Sequence, residues 1–217
     1  MCMGGIELDA EKIINKLKGH KRSILGEERF KKYAVLLPLI EIENEIHILF
    51  EVRSMNLRSQ PGDICFPGGK VDKTDENTLK TAIRETSEEL MIPEYNIYDV
   101  LPLDYLVSDF GRMIYPYVGR LKEIEKITPN KDEVDEIFTV PLSYFLNTKP
   151  KRYKVNFEVM PEDNFPYDLI IGGENYDWRT RQMDELFYEY NEKVIWGLTA
   201  KILTHFISLI TSDSSNK

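Results

Sequence analysis

Cysteine is scarce, long apolar runs are missing and positive charge is in deficit, and each scarcity removes a class of protein. Two cysteines in 217 residues, Cys2 and Cys65, cannot build a disulfide framework, so a bridged secreted scaffold is excluded and a reducing, cytoplasmic setting is expected. No stretch approaches the roughly 20 apolar residues of a membrane span. The start, MCMGGIELDAEKI, turns acidic where a signal peptide is apolar, and the tail SDSSNK carries no peroxisomal or reticular address. Lysine and arginine number 28 against 37 acids, for a net charge of -9. That excludes broad nucleic-acid binding, which depends on basic residues displacing counterions. It leaves open a small phosphorylated ligand, provided divalent cations stand between the two sets of negative charge. His20, His47 and His205 are scattered without metal-ligand spacing.

What is present is the composition of a globular chain, with 42% hydrophobic residues, 12 Tyr and 10 Phe. No repeat or linker divides it, so one domain is expected over 1–217, with its core at about 30–210, a short leading helix at Leu8 to Leu17 and a flexible C-terminal tail. YAVLLPLIEI and EIHILFEVRS, parted by Glu43-Asn44, predict a β-hairpin. An irregular stretch follows from Met55 to Lys73, and loops of that length in compact domains are commonly functional. A helix is expected from Glu76 to Met91, with Leu79, Ile83, Thr86 and Leu90 as its buried stripe. Strands are expected at Ile97 to Val107, Met113 to Leu121, Val134 to Val140, Tyr153 to Val159 and Leu169 to Ile171. The end, KVIWGLTAKILTHFISLI, reads as a helix packed on both sides. Together these elements predict a mixed α/β layered domain.

Within the central helix, RETSEEL sets Glu85, Glu88 and Glu89 on one face, where like charges three and four apart repel by about 0.2–0.5 kcal/mol per pair. Three converging carboxylates suit a hard divalent cation such as Mg²⁺ or Mn²⁺. The alternative is a solvated acidic face, partly neutralised by Arg84 through Glu88. The glycine turn upstream favours the first reading, because glycine lets backbone approach a ligand that side chains would block.

The run GGKVDKTDENTLKTAIRETSEELMI, Gly68 to Ile92, closely resembles the Nudix box of pyrophosphate hydrolases, GX5EX7REUXEEXGU. Arg84, Glu85, Glu88 and Glu89 match its acidic core. Thr86 replaces an aliphatic residue, Asp75 stands for the early glutamate with one extra residue before Arg84, and Met91 replaces the late glycine. LFEVRSMNLRSQPGDICFPGG, Leu49 to Gly69, resembles the signature LLTKRSX3RX3GX3FPGG of the coenzyme A pyrophosphatase branch, with Arg53, Ser54, Arg58, Gly62, Phe66, Pro67, Gly68 and Gly69 in register.

The resemblance implies an α/β/α sandwich with a mixed sheet and a loop-helix-loop catalytic motif. It implies Mg²⁺ or Mn²⁺ held by Glu85, Glu88 and Glu89, carboxylates oriented by Arg84, and a further acid at Glu133 or Glu136, with Glu133 preferred. Substrate contacts are expected at Arg58, and at Arg53 unless that residue only closes a strand, around the Gly68-Gly69 turn. NKDEVDEIFTVPLSYFL and WGLTAKIL extend the likeness, with Trp196 and Leu198 expected in the core. Cys65 reads as a small buried residue and Gly172-Gly173 as a turn. The implied reaction cuts the diphosphate of coenzyme A or a derivative. ADP-ribose, NADH or nucleoside triphosphates are the alternative substrates, and a nucleotide-binding module without hydrolysis is the alternative class. The expected partner is that small molecule, with no nucleic acid, no membrane and a homodimer as the assembly to consider.

Overall fold

A computed structural model describes residues 9–108 and 111–212. Cys2, residue 8 of the expected leading helix and the expected flexible tail from residue 213 onward lie outside them.

The hairpin forms as β1 (Lys31–Ile42) and β2 (Glu45–Arg53), which pair antiparallel from Ile42 and Glu45. Glu43 and Asn44 both take positive φ, 51° and 64°, as a two-residue turn matched to strand twist requires. β1 also pairs parallel with β7 (Arg112–Leu121), and β2 pairs antiparallel with β8 (Val134–Pro141). With β3 (Ile64–Cys65), β4 (Gly68–Lys70), β5 (Ile97–Pro102) and β6 (Leu106–Ser108), the result is a mixed sheet ordered β3-β2-β1-β7-β5, with β4 on β1, β6 on β7 and β8 on β2.

Side-chain alternation divides β1 and β2 between two cores. Ala34, Leu36, Ile40 and Leu49 face helix α2 (Thr78–Leu90), together with its Ala82 and Leu90. Leu37, Ile48 and Phe50 face the other side, where they meet Phe145 of α3 (Leu142–Asn147), Leu186 and Tyr188 of β10 (Arg181–Tyr190), Ile195 of β11 (Lys193–Trp196) and α4 (Gly197–Thr211). Helices thus cover both faces of a mixed sheet. β9 (Lys151–Phe157), β10 and β11 form a second, antiparallel sheet beside α4.

Several expectations change. The stretch from Met55 to Lys73 contains β3 (Ile64–Cys65) and β4 (Gly68–Lys70), both held by backbone pairing that leaves little side-chain pattern. The strand expected at Ile97 to Val107 is broken into β5 (Ile97–Pro102) and β6 (Leu106–Ser108), with Asp99 in the left-handed region at φ 51°. Leu169 to Ile171 forms no strand: Leu169 and Ile171 are 77% and 97% exposed, and the backbone makes a single 3-10 turn over Tyr167–Leu169. The apolar C-terminal run splits into β11 and α4, and α4 buries one face, through Ala200, Ile202, Leu203 and Phe206, while Leu209 and Ile210 stay exposed. Trp196 is exposed and stacks on Phe187, so of the two residues expected in the core only Leu198 packs there. α1 (Ala10–Leu17), capped by Asp9, leaves Ile13, Ile14 and Leu17 exposed. No helix among the described residues is long and apolar enough to cross a membrane.

Candidate active site

Helix α2 starts on a cap: the Asn77 side chain accepts the Lys80 amide hydrogen at 3.0 Å. It ends at Met91, whose φ of 53° is the left-handed conformation that glycine adopts freely and that costs an L-residue about 1–2 kcal/mol. The replacement of the box glycine therefore keeps the glycine's backbone shape. Thr86, fully buried, satisfies its hydroxyl by donating to the Ala82 carbonyl at 2.7 Å. That is how a polar residue fits the expected buried stripe, to which the structure adds Thr81, Ala82 and Glu89, while Leu79 and Ile83 are only partly covered.

A bend at Pro67 brings β4 against the helix, so that Gly68 and Gly69, expected in a turn, lie in a strand. Phe66 stacks on Phe50 with ring centroids 5.1 Å apart, and the Gly68 amide donates to Glu89 Oε2 at 2.7 Å. At Gly69 an added Cβ would lie 2.3 Å from the Glu85 carboxylate. The acidic side chain occupies the room that the missing side chain leaves.

Arg84 gathers the other carboxylates. Its Nε and Nη2 donate to the two oxygens of Asp75 at 2.9 and 3.0 Å, its Nη2 also to Glu85 at 2.8 Å, and its Nη1 to Glu88 at 3.0 Å. Asp75 further accepts from Thr81 Oγ1 and from the Asp72 amide. The shifted acid of the box thus anchors the arginine. Arg84 holds the Asp75 carboxyl well below the usual range. Burial pushes Glu85 up against the opposing pull of Arg84.

Burial also pushes Glu89 up to about 8, helped by the charges of Glu85 and Glu133 and opposed by the Gly68 amide. Between the ordinary value of 4.5 and about 8, the folded chain holds a proton that the unfolded chain has released. This contribution to stability is complete below the lower value and is lost as pH rises through the higher one. Asp75 works in the opposite sense, but only at more acidic pH. The metal-free protein should therefore melt at progressively lower temperature from about pH 5 to about pH 8. A thermal scan at several pH values checks this, and a rising melting temperature would contradict it.

Of the two acids weighed at β8, Glu133 is exposed at its entry, where its charge acts on Glu85 and Glu89. Glu136 is turned to the other face and paired with Lys193. Arg53 lies among the buried carboxylates, its charge favouring the ionised forms of Glu51 and Glu89, and its Nη2 donates to the Ser59 carbonyl at 3.4 Å. Arg58 is exposed on the preceding loop and makes none of these contacts. Cys65 keeps its thiol, since burial and the charges of Glu51 and Glu89 push it up. Gly172 and Gly173 form a turn at positive φ.

One residue of this group escapes the sequence reading. Glu51, on β2, is 1% exposed and packed against Glu89. The visible signal is that the signature LLTKRS has threonine where LFEVRS has Glu51.

A cleft of about 720 Å³ opens beside the box, lined by Lys70, Val71, Asp72, Lys73, Thr74, Arg84 and Glu85. Another, of about 430 Å³, lies between β2, β3 and β11 and includes none of the helix carboxylates. Among the described residues no three acid, histidine or cysteine side chains are already gathered around a common point. Glu88, like Glu85, is bonded to Arg84. The donor chemistry still fits a hard cation: oxygen ligands on one helix face, glycine backbone beside them and a buried carboxylate oxygen of Glu51 without a partner.

The NUDIX domain family matches residues 31–162, and the chain belongs to the Nudix family. It is a Nudix hydrolase, and members of this family generally require divalent cations. Peroxisomal coenzyme A diphosphatase NUDT7 of Mus musculus is 40% identical over 116 residues, 54% of this chain and 49% of the mouse protein, so the alignment spans about half of that relative. An uncharacterized Nudix hydrolase NudL of Pectobacterium atrosepticum is 33% identical over 184 residues, 84% of each chain. The crystal structure of a MutT/nudix family protein from Enterococcus faecalis shares the fold at a TM-score of 0.51 and 14% identity, covering 94% of this chain and 71% of that one.

Proposed function

We propose that this chain hydrolyses the diphosphate of coenzyme A or its derivatives, giving 3'-phospho-AMP and 4'-phosphopantetheine, with Mg²⁺ or Mn²⁺ as the cation. The observation that carries the reaction is the placement of Glu85 against Gly69 and of Glu89 on the Gly68 amide, beside a cleft that also presents Lys70 and Lys73. The substrate is supported by the upstream signature in register and by the likeness to the mouse relative, a coenzyme A diphosphatase.

Glu85, Glu88 and Glu89 hold the cation from the helix, and Arg84, anchored on Asp75, orients them. Glu133 adds an acid at the solvent edge. A bound divalent ion supplies charge stabilisation at phosphorus and makes water a better nucleophile. Lys70 and Lys73 bring positive charge to the cleft, and Arg58, from its exposed loop, offers a planar guanidinium for paired hydrogen bonds to phosphate. The cytoplasmic location remains our reading of the cysteine usage, and a homodimer is the assembly to test by light scattering.

Initial rates on coenzyme A, ADP-ribose, NADH and nucleoside triphosphates with each cation test the proposal, using wild type and Arg58→Ala. Coenzyme A should be cleaved fastest, and Arg58→Ala should raise its KM roughly tenfold, as loss of a charge-assisted contact does. Faster cleavage of ADP-ribose would move the enzyme to another substrate. Tight nucleotide binding without turnover would make the chain a binding module.

A further inference from the structure

Glu51 is buried in a place that gives its carboxyl no evident structural use. Alternation along β2 sends Ile48 and Phe50 into one core and Leu49 into the other, so Glu51 follows Leu49 toward α2. Its neighbours across the sheet are Cys65 and Ile137, and neither brings a strong donor. One side of the carboxyl shares a hydrogen bond with Glu89, itself an acid, and Oε1 has no hydrogen-bond partner among the described residues. Arg53 relieves part of the repulsion by its charge, yet its own Nε is also buried without a partner, and its Nη2 turns away to Ser59. An acid kept this dry with an unsatisfied oxygen weakens a fold. Threonine, which the resembled signature carries at this position, would avoid the repulsion.

The missing partner has a definite chemistry. A cation would satisfy Oε1 and offset the repulsion between Glu51 and Glu89, from a place between a strand and a helix that also presents Glu85. We propose that Glu51 is a ligand of the divalent-cation site, supplying Oε1 from the strand side to a hard cation that Glu85 and Glu89 hold from the helix side. This inference rests on the pyrophosphatase reading and adds to it a donor outside the Nudix box. With it, the cation is held between two elements of the fold, and β2 is tied to α2 when the site is loaded.

The test is a Mn²⁺ titration of the full chain, following the free ion by electron paramagnetic resonance, for wild type, Glu51→Gln, Glu51→Thr and Glu85→Gln. Both Glu51 variants should bind Mn²⁺ at least about tenfold more weakly, or bind one ion fewer, while their metal-free melting temperatures equal or exceed that of wild type. Glu51→Thr keeps the test informative if the amide of Glu51→Gln disturbs packing. Unchanged affinity and stoichiometry in the Glu51 variants, with weakened binding in Glu85→Gln, would overturn this inference alone. Unchanged binding in Glu85→Gln as well would overturn the cation site on which both readings stand.

Discussion

Glu85→Gln should lower turnover on coenzyme A by about a hundredfold to a thousandfold, the range seen when one preorganised charge-stabilising group is removed from an active site. Glutamine has nearly the size of glutamate, so the space beside Gly69 stays filled. Its amide oxygen can still accept from Arg84 Nη2, the bond that Glu85 makes at 2.8 Å. What disappears is the negative charge, which leaves only a neutral oxygen donor for the proposed cation. The fold should be unaffected, because Glu85 is itself strained by burial beside other acids. Circular dichroism and a thermal melt establish the intact fold, and steady-state rates with saturating cation measure the loss. Near-normal turnover would remove Glu85 from the reaction.

Gly68→Ala should act on the fold as well as the rate. A Cβ there would stand 2.4 Å from the Ala34 carbonyl oxygen and 2.6 Å from the Val35 Cα, both backbone atoms of β1, at a φ of +148°. Neither obstacle can swing aside, since Ala34 and Val35 pair with β7 on their other edge. A loss of about 3 kcal/mol or more is expected from overpacking together with backbone strain, and for a chain of this size that lowers the melting temperature by about 10 °C. Gly69→Ala is the informative contrast. Its Cβ meets only the end of the Glu85 side chain, so that variant should fold and lose activity. Equal melting temperatures for Gly68→Ala and wild type would refute the close approach of β4 to β1.

The contrast between adjacent glycines shows what a sequence can carry. The hairpin and the acidic helix were legible because each depends on local chemistry, two turn residues at positive φ and a helical repeat, while Gly68-Gly69 was legible as backbone needing room but forms β4 where a turn was expected. β10 was not legible. Its run RQMDELFYEY mixes charges with apolar residues, and only Leu186 and Tyr188 are fully covered. α3 is too short to show a helical repeat. Glu51 was missed for a different reason. A glutamate in a strand normally marks the solvent face, and only the position of α2 in three dimensions shows that this face is covered. The Arg84–Glu88 pair was legible from its i, i+4 spacing, whereas the bonds from Arg84 to Asp75, nine residues upstream, were not.

Asp75 gives that arginine a second significance. Its two oxygens hold the Nε edge of Arg84, and they are fixed in turn by Thr81 and the Asp72 amide. Arg84 is therefore leashed from the loop side and holds Glu85 and Glu88 only by its remaining hydrogens. Were a cation to draw those glutamates away, as the proposed site requires, Asp75 would keep its hold on the guanidinium. Loading would then be a trade of one counter-ion for another at Glu85 and Glu88.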